Sequence, residues 1–411
     1  MIRRRQVATL VVALALVLAG CSGGGGPTTA TDAATETATT TAAESAGQQS
    51  EHSTTATADR EPVAVTGGDL PVDQTETFYR VQRLLGSDVR PQPVEVRNLT
   101  ERKGYRPGQV PFFRLLGVGN LSLDTDEPGG LTAPSGKVCV YLGSGSATEV
   151  ERVLVHEYVH MVQYRANMLP WMSAIDQPQV SHDLLQTRLA LVEGGAVYAT
   201  DAYADRYLDG VDPAADYAQR YRSGSASAKY FFARYHFGYR YVSDRLDDPE
   251  NLAGVYENGP NTTEQLLHGY APDEEPPADL SVTANATGNW SATENNTMGE
   301  LFTRVALQTE LDAETACNAA TGWGNDDLRG FESGSDDPAF VWTLRTDSAS
   351  EADELEAALN TFAAERRNAT DAGFRVVRVG DETVAVLFGD RSFVESATVS
   401  GSNADVRIAF S

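Results

Sequence analysis

Apolar residues recur along this chain with two different spacings, which predict two kinds of element. Apolar positions three to four residues apart, such as Phe78, Val81 and Leu85, indicate helices packed on one face. Short apolar runs bounded by turn residues indicate strands, and the last two runs predict a hairpin around Gly380 and Asp381. The predicted helices cover residues 71–85, 147–165, 183–207, 226–246, 298–311, 313–320 and 351–365, and the predicted strands cover residues 94–96, 138–142, 340–344, 374–379 and 383–388.

This order of elements predicts an α+β fold, with a mainly helical centre, short flanking strands and a C-terminal α+β part. Residues 273–292 are rich in Pro, Asp, Asn and Thr, a composition that predicts an exposed loop. The chain beyond residue 62 is long enough for one elaborate domain or two. We expect one region over residues 63–295 and a second over residues 296–411 that packs on the first or continues it.

The N-terminal residues have the pattern of an export signal. Arg3, Arg4 and Arg5 precede an apolar run over residues 7–18, which is too short to span a bilayer comfortably. The sequence Leu-Ala-Gly-Cys that ends at Cys21 resembles the lipobox of secreted lipoproteins. The resemblance implies cleavage before Cys21, a lipid on its thiol, and a protein held at the outer face of the cell membrane. An ordinary secretory signal with an incidental cysteine is the alternative.

Three features after Cys21 fit a location outside the cell. Residues 21–62 are mostly Gly, Thr, Ala and Ser, which predicts a disordered tether. Only Cys139 and Cys317 remain, and in an oxidising exterior they most simply form a disulfide; two separate buried thiols are the alternative. N-x-Ser/Thr motifs, which are frequent by chance, offer glycosylation sites at Asn98, Asn120, Asn261, Asn285, Asn289, Asn295 and Asn368.

The chain is strongly acidic, with 58 Asp and Glu against 32 Lys and Arg and a net charge of −26. Nucleic acid is excluded as an expected partner, because its phosphate backbone would be repelled. The only lysines are Lys103, Lys137 and Lys229, and heavy acidity with scarce lysine resembles the proteins of salt-loving archaea. High salt screens the self-repulsion of such a chain, so the charge indicates habitat rather than substrate.

The sequence His-Glu-x-x-His, formed by His156, Glu157 and His160, lies on the predicted helix over residues 147–165. Residues four apart share one helical face, so both imidazoles can reach one metal ion, and Glu157 can take a proton from water at that ion. The other faces of this helix are apolar, and buried ionisable groups need a partner such as a metal. The alternative is chance, which is unattractive because the chain has only 6 histidines.

A catalytic zinc ion needs a third protein ligand. Ala166 stands where a metzincin would place a third histidine, whereas Glu193 lies in an apolar helical run followed by Gly194 and Gly195. The sequence here resembles the gluzincin metallopeptidases, in which Glu-Gly-x-Ala follows the His-Glu-x-x-His motif. The resemblance implies zinc on His156, His160 and Glu193, with Glu157 as general base. The alternative for Glu193 is a partly exposed helical residue.

The sequence also suggests how the helix of Glu193 packs and which residue orients a histidine ligand. We expect the two glycines to let this helix press against the histidine-bearing helix, at a cost in helix propensity. Val197 stands where some gluzincins carry an aspartate that orients a histidine, so Asp201, back on the face of Glu193, is the candidate for that role. A simply exposed Asp201 is the alternative.

Hydrolysis also needs a donor to the developing oxyanion, for which Tyr235 and His268 are candidates. Their motifs, Tyr-x-x-Gly-x-x-Tyr-Val from Tyr235 and Pro-x-x-Thr-Glu-Gln-x-x-His ending at His268, resemble those of a poorly characterised group of zincin-like proteins from bacteria and archaea. That group also has Gly-Trp-Gly-x-Asp, here at residues 322–326. Structural aromatic and histidine positions are the alternative. His182 follows Ser181, the predicted N-cap of its helix, and is expected at the surface.

The sequence therefore predicts a membrane-anchored, zinc-dependent metallopeptidase that acts outside the cell on peptides or proteins. The intact Glu157 favours an enzyme, because a structural zinc site has no use for a general base. A zincin-fold surface lipoprotein with a structural or binding role is the main alternative. A solute-binding lipoprotein of a transporter is a weaker one, because it does not need the zinc motif.

Overall fold

The fold is known from a computed structural model that describes residues 60–98, 106–124, 126–285, 289–333 and 337–410. Helices and strands are both well represented, so the α+β class predicted from the sequence is confirmed. The predicted export signal, the lipidation site Cys21 and nearly all of the predicted tether lie outside these residues. Within the described ranges, no helix is both long enough and apolar enough to cross a bilayer.

Three central helices carry the candidate site and begin at serine caps. Ser146, Ser181 and Ser225 each accept a hydrogen bond from a backbone N–H three residues further on, which ends the preceding loop and starts the helix. The described helices are α1 (Gln74–Leu84), α2 (Pro111–Leu115), α3 (Ala147–Arg165), α4 (His182–Tyr207), α5 (Pro213–Ser223), α6 (Ala226–Ser243), α7 (Leu252–Glu257), α8 (Thr263–His268), α9 (Gly299–Leu307), α10 (Ala313–Ala320), α11 (Ala349–Ala369) and α12 (Arg391–Ser396).

The described strands form three sheets. The strands are β1 (Val65–Thr66), β2 (Val94–Val96), β3 (Gly129–Thr132), β4 (Val138–Tyr141), β5 (Ser281–Asn285), β6 (Ser291–Asn296), β7 (Trp323–Glu332), β8 (Ala339–Thr346), β9 (Gly373–Arg378), β10 (Thr383–Gly389), β11 (Ala397–Gly401) and β12 (Asp405–Phe410). A four-stranded sheet has the order β1-β2-β4-β3, with antiparallel β3 at one edge, and a five-stranded antiparallel sheet has the order β6-β7-β8-β10-β9. A three-stranded sheet has the order β11-β12-β5.

The five-stranded sheet is buried on both faces. Side chains of a strand alternate between faces, and on β8 Phe340 and Trp342 join the main core whereas Val341 joins a second, smaller core. The second core lies between this sheet and the three-stranded sheet, where Phe393 of α12 and Ile408 of β12 are fully buried. The C-terminal part is therefore layered, with helices on one side of the large sheet and the small sheet on the other.

One hydrophobic cluster joins the helical centre to the large sheet. The ring of Phe112 on α2 lies 5.3 Å from that of Phe302 on α9 and 5.6 Å from that of Phe340 on β8, measured between centroids. Trp342 packs on Phe302 at 5.7 Å. The main core contains buried residues from Val63 to Phe388, so the regions predicted over residues 63–295 and 296–411 share one core.

Gly194 and Gly195 were predicted to let their helix press against the histidine-bearing helix α3, and this prediction is wrong about which helix they contact. A Cβ atom on Gly194 would lie 2.0 Å from the carbonyl carbon of Gly238, and one on Gly238 would lie 1.9 Å from the carbonyl oxygen of Ala190. The glycines of α4 and α6 therefore face each other and allow these two helices to touch backbone to backbone. Gly195 is turned instead toward the hydroxyl of Tyr256 on α7, not toward the backbone of α3.

The predicted elements are confirmed at most positions, with one clear error. The helix predicted over residues 313–320 matches α10, and the hairpin of β9 and β10 forms as predicted around residues 380–381. The loop predicted over residues 273–292 is wrong, because β5 and the start of β6 lie within it. β5 pairs in parallel with β12, the last strand of the chain, and this distant partner cannot be seen in the local composition.

The disulfide predicted between Cys139 and Cys317 does not form in this structure. Cys139 lies on β4 with its Sγ 3.9 Å from the Glu95 carboxylate, and Cys317 lies on α10 with its Sγ 3.7 Å from the Gln308 amide. Both residues are thiols and are not bonded to each other. The four-stranded sheet and α10 are separate parts of the fold, so the pairing predicted from the cysteine count alone is wrong in this structure.

Candidate metal centre

Helix α3 fixes the two histidines of the candidate metal centre. The helix begins with a capping box, in which Ser146 and Glu149 satisfy each other's backbone N–H groups. Its middle is buried on all sides, and His156 and His160 lie one turn apart with perpendicular rings whose centroids are 4.6 Å apart. The two imidazoles therefore converge on one point beside the helix, as their spacing predicts.

Glu193 of α4 completes a tight group with these histidines. Nε2 of His156 lies 3.1 Å from Nε2 of His160, and the Glu193 Oε2 atom lies 3.3 and 3.2 Å from these two nitrogens. Tetrahedral zinc with bonds of about 2.0–2.1 Å separates its ligand atoms by roughly 3.3 Å. The three atoms therefore have the spacing of one face of a zinc tetrahedron, and a donor set of two imidazoles and one carboxylate suits zinc.

The group is largely shielded from solvent, which strengthens its internal electrostatics. The side chains of His156, His160 and Glu193 are 11%, 9% and 12% exposed. Burial alone would raise the pKa of Glu193, but the neighbouring His160 and His156 hold it well below its usual range. Burial would likewise lower the pKa of His160, yet Glu193 raises it to about 9. The Glu193 carboxylate and the His160 imidazole thus stabilise each other's charged form.

Gln163 sets the tautomer of His160. Its amide nitrogen donates to the carbonyl oxygen of Val192 at 3.0 Å, and because a carbonyl oxygen can only accept, the orientation of this amide is fixed. Its Oε1 atom then faces Nδ1 of His160 at 2.7 Å, so Nδ1 carries the hydrogen. In the neutral form of His160 that a metal requires, the lone pair is therefore on Nε2, the atom that faces Glu193.

Tyr256 and Gly195 support Gln163 from behind. The second hydrogen of the Gln163 amide is donated to the Tyr256 hydroxyl at 2.6 Å. A Cβ atom on Gly195 would lie only 2.0 Å from that hydroxyl oxygen. The lack of a side chain at Gly195 therefore makes room for the hydroxyl that holds Gln163, and through it His160.

Glu157 lies beside the group but is held by a different element. Thr132 of β3 donates to the Glu157 Oε2 atom at 2.7 Å. A Cβ atom on Gly130, also on β3, would lie 2.4 Å from Cγ of Glu157, so the edge strand leaves just enough room for this side chain. Burial raises the pKa of Glu157, although His160 and His156 oppose the shift. A raised pKa suits a carboxylate that accepts and then releases a proton.

Tyr235 is close to the three candidate ligands, as its selection from the sequence requires. Its ring centroid lies 6.1 Å from that of His156, and its ring stacks on Tyr217 of α5 at 4.5 Å. Burial, followed by the charge of Glu193, raises the pKa of Tyr235 well above its ordinary value. The hydroxyl therefore keeps its proton and remains a hydrogen-bond donor at the site.

Two other candidate residues do not reach the site, and their predicted roles are wrong. Asp201 accepts a hydrogen bond from the Tyr239 hydroxyl at 2.9 Å and contacts neither candidate histidine ligand, because it lies about two turns from Glu193. The role expected of it belongs to Gln163. That residue was overlooked because it is neutral, although its position three residues after His160 on the same helical face was a usable signal.

His268 is the second of these corrections. Its Nε2 atom lies 3.0 Å from the carboxylate of Glu300, and its ring stacks on Tyr270 at 5.4 Å. Glu300 is fully buried on α9 and also accepts a hydrogen bond from Arg304 at 2.7 Å. His268 therefore belongs to a polar cluster with Glu300 and Arg304 between α8 and α9, and it contacts none of the candidate metal ligands.

The Gly-Trp-Gly-x-Asp motif has a structural role in the fold. Both carboxylate oxygens of Asp326 are used: one accepts from the backbone of Met298 and from Trp342, and the other accepts from the backbone of Gly299 and from Trp323. The aspartate thus ties the start of α9 to the middle of the large sheet. The motif noted in the sequence therefore stabilises the fold and contributes no side chain to the candidate metal centre.

His182 is buried, contrary to the expectation that it lies at the surface. It is 3% exposed, and its Nε2 atom forms a hydrogen bond with the Tyr230 hydroxyl of α6. Burial, together with the nearby Arg234, lowers the pKa of His182 to about 3. The imidazole is therefore neutral and ties α4 to α6 rather than capping α4 at the surface.

The predicted glycosylation sites are mostly accessible. The described asparagines of these motifs are exposed, namely Asn98, Asn120, Asn261, Asn289, Asn295 and Asn368. Asn295 also donates to the Asp327 carboxylate at 2.8 Å. The side chain of Asn285 lies outside the described residues. Exposure is compatible with modification, which stays a prediction.

Comparison with known proteins adds one match, in the C-terminal region. A family model described as a domain of unknown function (DUF8575) matches residues 287–408, from the residues before β6 to within β12. No curated protein and no solved structure matches the chain. The matched segment contains Asp326 and the large sheet, whereas the candidate metal ligands lie before it.

Proposed function

We propose that the protein is a zinc-dependent hydrolase of the gluzincin type that cleaves peptide bonds. The observation that carries the proposal is the spacing of the three candidate ligand atoms, which lie 3.1–3.3 Å from one another. Among the described histidine, cysteine and acidic residues, His156, His160 and Glu193 form the one group compact enough to hold a metal ion. When bound, zinc supplies Lewis acidity at the group and makes nearby water more acidic.

Three side chains of the protein would perform the other functions that hydrolysis needs: proton transfer, hydrogen-bond donation to the oxyanion, and orientation of a ligand. Glu157 is buried, is held by Thr132 and is not needed as a ligand, so its carboxylate is available to accept a proton from water and pass it to a leaving amine. Tyr235 keeps its hydroxyl proton and its ring lies 6.1 Å from that of His156, so its hydroxyl is the candidate donor to a developing oxyanion. Gln163 keeps Nε2 of His160 available as a ligand atom.

The first test measures metal content. We expect the purified protein to hold about one zinc ion per chain and to lose it in Glu193→Ala, with zinc measured by mass spectrometry after desalting. Asp201→Asn is the matched control, since it changes an acid eight residues further along α4 that contacts none of the ligands. Normal zinc content in Glu193→Ala would remove Glu193 from the ligand set.

The second test measures hydrolysis. Glu157→Gln should retain zinc but cleave a peptide library at high salt more slowly by about 10² to 10⁴, because general-base catalysis contributes a factor of that size. Equal rates for wild type and Glu157→Gln would refute the proposed mechanism. Zinc content without hydrolysis in either protein would favour the alternative, a surface lipoprotein in which the zincin site is structural.

We also propose that the protein is exported and anchored by a lipid on Cys21. The basis is the Leu-Ala-Gly-Cys sequence after an apolar run. Replacement Cys21→Ser should release the protein from the membrane fraction into the medium, which fractionation and immunoblotting would detect. Continued membrane association of that variant would argue against the lipid anchor.

A further inference from the structure

The interface between α4 and α6 contains two buried polar side chains that face each other. His182 contacts Tyr230 at one end of this interface, and Ala190 contacts Gly238 further along. Gln186 lies four residues after His182 and four before Ala190, and Arg234 lies four residues after Tyr230 and four before Gly238. Residues four apart share a helical face.

Because both helices advance in the same direction between those two contacts, Gln186 and Arg234 stand opposite each other midway between them. The two side chains are thus enclosed on one side by the histidine–tyrosine pair and on the other by the glycine crossing. Each of the two residues is only 1% exposed. The interface therefore encloses a polar layer, formed by Gln186 and Arg234, between the histidine–tyrosine pair and the glycine crossing.

The polar atoms of this layer have no partners in the protein. Nε, Nη1 and Nη2 of Arg234, and Oε1 and Nε2 of Gln186, form no hydrogen bond with any part of the chain that the structure describes. The guanidinium carbon of Arg234 lies 5.2 Å from the ring centroid of Phe231, a contact that offers a π face but no hydrogen-bond acceptor. The two side chains also form no hydrogen bond with each other.

The charge of Arg234 is also not balanced by an acid. Across the described residues, no carboxylate lies within ion-pair distance of its guanidinium group, and His182 of α4, whose pKa this guanidinium helps to lower, is neutral. A buried charge without a counterion is strongly unfavourable. Water could satisfy the hydrogen bonds of the layer but could not neutralise the guanidinium charge.

We propose that Arg234 and Gln186 bind a small monovalent anion between α4 and α6. The guanidinium and amide N–H groups point to a ligand that accepts several hydrogen bonds and carries one negative charge. A halide ion or the carboxylate of a small molecule has this chemistry. Gln186 lies seven residues before Glu193, so the site is about 10 Å along α4 from the proposed metal ligand and is separate from it.

The experiment follows thermal unfolding of the full-length protein while potassium fluoride is replaced by potassium bromide at constant total salt. Bromide should raise Tm by a few degrees in the wild type, because a ligand that binds only the native state stabilises it. Arg234→Met should lose this response. Arg240→Met, which removes an exposed arginine from the same helix, should keep it and provides the matched control.

Bromide-soaked crystals provide the direct readout, since an anomalous peak is expected between Arg234 and Gln186. A parallel series in potassium acetate separates the two sources: a Tm rise with acetate but not bromide, lost in Arg234→Met, would assign the site to a carboxylate. If Arg234→Met does not fold, Gln186→Leu keeps the charge and should weaken the bromide response. Two outcomes would overturn the proposal: the same anion response in Arg234→Met as in the wild type, or no response to either bromide or acetate together with no anomalous peak at the site.

Discussion

A single added methyl group at Gly195 should weaken metal binding without touching a ligand. In Gly195→Ala, the new Cβ would lie 2.0 Å from the Tyr256 hydroxyl oxygen, and real contacts of this kind essentially never fall below 3.0 Å. The oxygen must therefore move by about 1 Å, which breaks the 2.6 Å hydrogen bond to Gln163 unless Gln163 moves with it. In either case, His160 loses its fixed orientation.

The magnitude follows from the bond that is lost. A hydrogen bond of this type contributes about 1–1.5 kcal/mol, and 1.4 kcal/mol corresponds to a tenfold change in affinity. We therefore expect the zinc Kd of Gly195→Ala to rise about tenfold, within the range of roughly 10- to 100-fold known for residues that orient metal ligands. Overpacking should also lower the free energy of unfolding of the metal-free protein by about 1–3 kcal/mol.

A double-mutant cycle with Tyr256→Phe isolates this route, with zinc affinity measured by competition against a chromophoric chelator. Tyr256→Phe removes the hydroxyl and should by itself raise the Kd about tenfold. Adding Gly195→Ala should then change little, because the hydroxyl that clashed is gone, although the ring carbon at 3.0 Å must shift slightly. Unchanged zinc affinity in Gly195→Ala, or strictly additive effects, would refute the reasoning.

Three further predictions concern other parts of the fold. Gly130→Ala should displace the Glu157 carboxylate and reduce hydrolysis by about 10² or more while zinc content stays normal, so loss of zinc would contradict it. Asp326→Asn should lower the free energy of unfolding by about 3 kcal/mol in denaturant titration, because an amide nitrogen would then face donors such as Trp342. Burial raises the pKa of Asp183 from 3.8 to about 7, so the native state binds its proton more tightly and stability should fall as the pH rises across that window. Asp183→Asn should flatten this dependence in pH-resolved thermal melts, and an unchanged slope would count against it.

The sequence was sufficient to predict the centre of the fold and the compact group of ligand candidates. The spacing of His156 and His160 is local, and α3 and α4 both have caps and apolar runs that mark their ends. Glu193 stood out because an isolated acid in an apolar helix needs a partner. These features depend only on residues close together in the sequence, so they can be recognised without the tertiary structure.

The errors concern partners that are distant in the chain. The pairing of β5 with β12 joins segments more than one hundred residues apart, and composition alone gave a loop there. Gly194 was expected against α3 but contacts Gly238, because a small residue indicates a close approach and not its direction. The sequence predicted the charged Asp201 for a role that the fold gives to Gln163, a neutral amide that can both accept and donate hydrogen bonds.

The aromatic contact between Phe112 and Phe302 ties the segment that matches the family model to the helical region before it. The segment that matches the family model begins at residue 287 and carries Phe302 and Trp342, while their partner Phe112 lies far before it. Separated from the preceding residues, the segment would present these rings to water. A gene fusion that moved it alone would need to supply a matching apolar surface. We therefore expect other chains with this segment to have a helical region that covers these rings as well, whether or not that region contains the candidate metal ligands.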